Sequence, residues 1–296
     1  MVVVVNDGDP EPPWDVLDDL SDPRLVRFDL PDNRGRYFAD QVVLDATRSH
    51  YFLVQDADDW SEPRRIEILL DRLRSEHAVG VVSATYRHDG VSQPRVTHQR
   101  GLTISLDRRM RHLANHFGLF RTDALRDIGG FFADFRIGYD TLLVNWLAMT
   151  GRLAAVKEPL YHRRQRSGSL TSAVDTGIGS PGRAAVKREL DRMYAKGFDA
   201  YLQLMDGQLT PPQLAARVRA ISAARVGPKA RAAVGHESAR LREVLDRREA
   251  RAAAGARTAR VPGLREDVRS AASRPQRAPE RLDGQPSTRR RTGPPP

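Results

Sequence analysis

The sequence predicts an α/β domain over residues 1–175, a mostly parallel sheet flanked by helices, and three observations carry that prediction. Strand-like and helix-like stretches alternate throughout this span. The first strand, Val2 to Val5, is a continuous apolar run, as expected of a strand buried on both faces of a parallel sheet. A later run, Tyr51 to Gln55, delivers Asp56-Ala57-Asp58-Asp59, and in open α/β sheets the ligand crevice lies beyond the carboxyl ends of the strands.

The elements follow in order. Val2 to Val5 ends at the turn-forming Asn6-Asp7-Gly8, and the prolines at 10, 12 and 13 precede a weakly helical Trp14 to Leu20. Leu25 to Phe28 reads as a second strand, Pro31-Asp32-Asn33 as a turn, and Gly35 to Arg48 as a helix. After the acidic cluster, Ile66, Leu69, Leu70 and Leu73 recur at i, i+3, i+4 and i+7 behind Ser61 and Pro63, which predicts an amphipathic helix. Val79 to Tyr86 is strand-like, whereas the polar stretch from Arg87 to Met110 has no clear period. Phe117 to Phe120 reads as a strand, Thr122 to Asp127 as a short helix broken by Gly129-Gly130, Asp140 to Met149 as a helix, and Leu153 to Val156 as a last strand before Pro159. Residues 176–251 form a helical extension, with candidate helices at Arg183 to Met205 and Gln213 to Arg251. From 252 to 296 the chain is Arg, Ala, Pro and Gly with too little apolar surface to offset its chain entropy, and disorder is expected.

Composition narrows the chemistry. The chain has no cysteine, which excludes disulfides, thiolate nucleophiles and zinc–thiolate sites. No apolar run approaches the ~20 residues of a membrane helix, and no basic region precedes Val2, as a secretory signal would require. A cytoplasmic location is expected, extending to peripheral contact with the inner face of the membrane. The net charge of +10 divides unevenly. From Arg217 onward 20 basic residues face 8 acidic ones, so the remainder holds 28 against 30. The basicity belongs to the tail.

Three carboxylates in four residues repel one another unless a cation lies among them, and hard oxygen donors at this spacing suit Mg²⁺ or Mn²⁺. The other reading is an acidic helix start, with Asp59 or Ser61 capping the helix that follows. Three further segments frame the cluster: Val2 to Gly8; Gly118 to Phe131 with Gly138-Tyr139-Asp140; and Glu158-Pro159-Leu160-Tyr161-His162-Arg163-Arg164 with Ser169-Leu170-Thr171. In this order and spacing, from Met1 to Thr171, the four segments resemble the family 2 glycosyltransferases of the GT-A, Rossmann-like fold. The resemblance implies a metal-dependent transferase that moves a sugar from a nucleotide-sugar donor to a hydroxyl acceptor (glycan, lipid-linked or other) with inversion. It implies Asp7 as a contact to base or ribose, Asp56 and Asp58 as the Asp-x-Asp element that holds Mn²⁺ or Mg²⁺, and Asp140 as general base. His162 is a candidate third metal ligand or diphosphate donor, with a structural role as the alternative. Arg163, beside Arg164 and Arg166, is a candidate for the diphosphate, and Asn33 and Arg34 for the nucleotide; a solvated basic loop is the alternative for the arginines.

Two departures from the family stand out. Its members begin with a strand–helix unit ahead of the strand seen here at Val2, so the chain reads as N-terminally truncated, with a central strand of the sheet missing and one wall of the nucleotide pocket removed. Tyr139 stands where many relatives carry a second acid. The competing functions are a catalytically silent relative and a binder of nucleic acid or anionic surfaces built on the tail. The tail lacks the aromatic interleaving of a base-stacking surface, so no specific nucleic-acid partner is expected, only contact with anionic membrane.

Overall fold

The computed structural model describes residues 1–258, apart from 91, 100, 167, 168, 171 and 172. Residues 1–249 form one compact unit and a second begins at Ala250. The tail expected to be disordered lies, from residue 259 on, outside the described residues.

The α/β class is the one observed. Strand β1 (Val2–Asp7) pairs in parallel with β2 (Leu25–Leu30), Val5 opposite Phe28. Between them Trp14–Leu17 makes a single 3₁₀ turn in place of the expected helix, and α1 (Arg36–Ala46) follows. A second sheet holds β3 (Tyr51–Leu53), β4 (Trp60–Ser61), β5 (Gly80–His88), β6 (Arg95–Thr97), β7 (Gly118–Arg121) and β8 (Leu153–Arg164). Its order is β3-β7-β5-β8-β4, with β6 beside the far end of β5. Between these strands run α2 (Arg65–Ser75), α3 (Thr122–Asp127) and α4 (Tyr139–Thr150). Among the described residues β1 bonds only β2, and β3 bonds only β7, so the strands form two sheets rather than one.

The expectation of a mostly parallel sheet needs correction. Only β1·β2 and β5·β8 are parallel among the described pairs, and the other four are antiparallel. A parallel partner needs a crossover, usually a helix, to carry the chain back to the starting end. Among the described residues no helix lies between His88 and Gly118, so β7 re-enters from the end where β5 stopped and runs against it. α4 supplies the crossover before β8. Strand β8 also runs on through Pro159 to Arg164, past its expected end. The register against β5 shifts at Ser83–Thr85, opposite Pro159, and a bulge tolerates a residue without an N–H.

The expected amphipathic helix is α2, but its fully buried apolar positions are Leu69 and Leu73, with Arg65 buried beside them, while Ile66 is exposed. Beyond β8, α5 (Pro181–Met205) and α6 (Pro211–Ala223) pack on α4 and share its core, with Trp146, Tyr194, Phe198, Leu214 and Val218 buried together. The single helix expected at 213–251 is two, because Gly227-Pro228 ends α6 and starts α7 (Pro228–Thr258). Val234, Leu241 and Leu245 of α7 cover Val26, Phe28 and Leu30 of β2. No described helix is long and apolar enough to cross a membrane.

Candidate active site

The acidic cluster sits in a tight turn between β3 and β4, closed by the Asp59 N–H donating to the Asp56 carbonyl at 3.2 Å. A buried arginine shapes this turn from beneath. Arg65 donates to the Gln55 side chain at 2.8 Å and to the carbonyls of Val54 and Phe117 at 3.2 and 3.1 Å. Its guanidinium lies over the Tyr161 ring at 4.6 Å. Burial pushes Arg65 down to about 10, still charged at neutral pH. Tyr161 in turn donates to Asp59 Oδ2 at 2.7 Å and accepts the Asp56 N–H at 3.2 Å. The turn is therefore built, and it is not a helix cap: the N-cap of α2 is Arg64, with no side-chain cap bond.

Asp56, Asp58 and Asp59 each offer an oxygen, and all three oxygens lie within 4.8 Å of one another. That donor set is all hard oxygen and fits Mg²⁺ or Mn²⁺. Each carboxylate also meets a protein partner. Arg36 Nη1 reaches Asp56 at 2.7 Å, Arg166 Nε reaches Asp58 at 2.9 Å, and the Arg164 N–H donates to Asp59 at 2.8 Å. Burial raises the Asp56 pKa, with Arg36 opposing it. Burial would likewise depress Arg36, but Asp40 and Asp56 beside it hold it above its ordinary value.

Asp140 lies in the first turn of α4, which starts after Gly138 at φ 80°, a left-handed conformation natural to glycine. Gly138 is the N-cap, and the Asp140 carboxylate takes its partners from other elements. The Tyr37 hydroxyl donates to Asp140 Oδ1 at 2.9 Å and accepts the Asp140 N–H at 3.3 Å. His116 Nδ1 stands 3.3 Å from Oδ2, too poorly aligned for a good hydrogen bond. Burial alone would raise the Asp140 pKa, yet His116, Tyr37 and Arg36 hold it well below the usual carboxylate range. Burial lowers the His116 pKa, so its ring is neutral at pH 7 and Tyr37 and Arg36 carry the effect there.

A cavity of about 380 Å³ joins these groups. Asp56, Asp58, Asp59 and Asp140 line it together with Tyr37, His116, Arg163 and Arg164. Other candidates from the sequence fall elsewhere. Both Asp7 oxygens are taken by backbone N–H groups, those of Arg34 and Gly35, each at 2.8 Å, so Asp7 sets the entry to α1. The Asn33 side chain accepts from Arg136, and Arg34 meets Asp32 at 3.2 Å. His162 does not join the carboxylates. The alternation along β8 points Tyr161 at the cluster and His162 at the opposite face, where it meets Glu62 at 2.7 Å and His88 at 3.0 Å and stacks on Trp60. Gly130 is kept small by Gln41, onto whose side chain a methyl group would fall, rather than by a ligand. Tyr139 is fully buried and donates to Ser222 at 3.0 Å. Thr171 lies outside the described residues.

Sequence reasoning missed Arg36, Tyr37, Arg65 and His116. Tyr37 and His116 lie 103 and 24 positions from Asp140, and only the packing of α1 and of the irregular stretch before β7 brings them to α4.

The family described as Glycosyl transferase family 2 matches residues 1–134. Asp140 and β8 lie beyond the matched segment. Among solved structures, S. aureus TarS 1–349 in complex with UDP-GlcNAc is similar at 16% identity and a TM-score of 0.48, over 76% of this chain and 80% of that one. The same protein in complex with UDP gives 14% and 0.47, over 83% and 81%. The longer S. aureus TarS chain gives 14% and 0.48, over 72% of this chain and 35% of that one. No curated protein matches.

Proposed function

We propose that the chain is a glycosyltransferase that moves a sugar from a nucleotide-sugar to an acceptor hydroxyl, with inversion. The observation that carries this reading is the single cavity in which the Asp56–Asp59 cluster and Asp140 meet, in a chain whose first 134 residues match the family. Asp56, Asp58 and Asp59 would hold Mg²⁺ or Mn²⁺. Such an ion, when bound, neutralises charge developing on the leaving diphosphate. Arg163 presents a guanidinium fork to the same phosphate oxygens. Asp140 takes the proton as the acceptor oxygen bonds to the anomeric carbon from the face opposite the diphosphate, and the breaking bond leaves its electron pair on the diphosphate. An ionised carboxylate of depressed pKa is a weak base for a free alcohol. Transfer to it is therefore late, as the attacking oxygen acidifies, and Tyr37 keeps the acceptor atom in place until then.

The test is calorimetric titration of a nucleoside diphosphate with and without Mn²⁺. Binding should need the metal, and Asp58→Ala should weaken it by tens of fold, within the ~10–100-fold range seen for losses at metal sites. Metal-independent binding that Asp58→Ala leaves unchanged would remove the cluster from the site. The competing reading, a silent relative, draws on the unpaired edges of β1 and β3. It expects no nucleotide binding at all.

A further inference from the structure

Seven arginines and four aspartates line the cavity, an excess of three positive charges from the protein's own residues. Arg36 and Arg166 are matched by Asp56 and Asp58. Arg87, Arg136, Arg163, Arg164 and Arg183 have no carboxylate partner among the described residues. Arg87 bonds the Gln165 amide at 3.2 Å, and Arg183 bonds the carbonyls of Thr176 and Leu170 at 2.7 and 2.8 Å. On the proposed transferase reading, a nucleoside diphosphate sugar with its divalent ion is nearly neutral. Donor binding thus leaves the positive excess unanswered, and a cavity of one sign concentrates the opposite one.

A second observation lies at the rim of the same cavity. Leu170 and Ile178 line it, with Val174 between them in sequence, and their relative exposures are 52%, 82% and 91%. The Ala173 N–H donates to the Ser169 carbonyl and the Gly177 N–H to the Ala173 carbonyl, at 2.8 and 2.7 Å. Arg183 and Ser180 tie the segment down through the Leu170, Thr176 and Asp175 carbonyls. Leu170 and Ile178 are therefore exposed apolar side chains beside the arginines of the cavity, and Val174, between them in sequence, is exposed as well. Exposed apolar groups beside basic ones suit a lipid–water boundary, where the apolar groups leave water and the basic ones meet anionic headgroups.

We infer that the acceptor is a phosphate-bearing lipid: its phosphate meets Arg87, Arg136 and Arg183 in the cavity while Leu170, Val174 and Ile178 enter the bilayer beside it. This rests on the transferase reading.

The experiment has two arms, both with the full chain. Cosedimentation with phosphatidylcholine vesicles, with and without phosphatidylglycerol, reads the lipid contact. The wild type should bind the anionic vesicles, and the triple variant Leu170→Ser, Val174→Ser, Ile178→Ser should bind them about tenfold more weakly, the basic tail being the same in both. Calorimetric titration of glycerol 3-phosphate into protein saturated with UDP and Mg²⁺ reads the phosphate contact. Binding should persist beside the nucleotide, and Arg87→Gln or Arg136→Gln should weaken it several-fold. Unchanged vesicle binding by the triple variant, even with glycerol 3-phosphate bound, would show a soluble acceptor and overturn the inference. So would displacement of glycerol 3-phosphate by UDP, which would mean a single anion site, the donor's. Failure of the wild type to bind UDP with Mg²⁺ would overturn the transferase reading itself.

Discussion

Replacing Asp140 with Asn separates chemistry from architecture. The amide oxygen can still accept the Tyr37 hydroxyl, which now meets Oδ1 at 2.9 Å, and the amide NH₂ can face the neutral His116 ring 3.3 Å away. What disappears is the negative charge beside Arg36 and the ability to take a proton. The lost charge-assisted contact costs about 1–2 kcal/mol, and relief from holding a buried anion offsets part of it. The net stability change is then about 1 kcal/mol or less, or ~2–4 °C in Tm for a domain of this size. The rate should respond far more. A positioned general base contributes about 10²- to 10⁴-fold, equivalent to about 2.7–5.4 kcal/mol of barrier at 1.36 per decade. The assay is turnover followed by nucleoside diphosphate release, with binding of the diphosphate measured on the same preparation. Asp140→Asn should bind normally, melt within ~2–4 °C of the wild type and turn over at least a hundredfold more slowly. Near-normal turnover would refute the assignment of the proton to Asp140.

Three further outcomes are expected. Tyr37→Phe removes a donor to an ionised carboxylate, so the depressed Asp140 pKa should rise and the acid limb of kcat/KM should move to higher pH, while stability falls by about 1 kcal/mol. Since a depressed carboxylate stabilises fully above the ordinary value of about 3.9 and loses that contribution as pH falls through the folded value, the variant should also show less of its stability loss below pH ~4; an unmoved acid limb would count against the contact. Gly197→Ala places a methyl group on Cζ3 and Cη2 of the fully buried Trp146, and overpacking of this kind costs about 1–3 kcal/mol, readable as a lower Tm. Ending the chain at Ala252 should leave turnover on a soluble acceptor unchanged and reduce adsorption to anionic vesicles, and a large loss of turnover would show that the tail contributes to the site.

The parts legible in the sequence were those written locally. Val2 to Val5 and the 153–156 run announced strands by composition, and Thr122–Asp127 announced a helix between two stops. The acidic turn after β3 was visible because repulsion among three neighbouring carboxylates demands an explanation. What stayed hidden depends on distant partners. Arg36 and Tyr37 look like ordinary residues at the start of a surface helix until α1 packs against α4 and turns them toward Asp56 and Asp140. Arg65 looks like a solvated helix residue and is instead buried under the cluster. The mixed strand directions followed from a missing helix in the polar 87–110 stretch, where periodicity has nothing to report. Pro159 misled because its cost in a strand vanishes at a bulge, and a bulge is a property of two strands together.

The covering of β2 by α7 sets an order on synthesis. Val26, Phe28 and Leu30 emerge early, but their apolar partners Leu241 and Leu245 are the work of a much later stretch of message. At the ~5–20 residues per second of translation, the ribosome needs roughly 10–40 s to pass from Val26 to Leu241. Over that interval the two N-terminal strands have only Phe38, Val42 and Ala46 of α1 to cover them, and a two-stranded sheet so incompletely covered is prone to edge pairing with other nascent chains. The site's own sheet can close earlier, since the partners of β5, β7 and β8 are all made by residue 164. The strands synthesised first are therefore the last to be sealed, since Val26 and Phe28 wait for the last described helix to complete their cover.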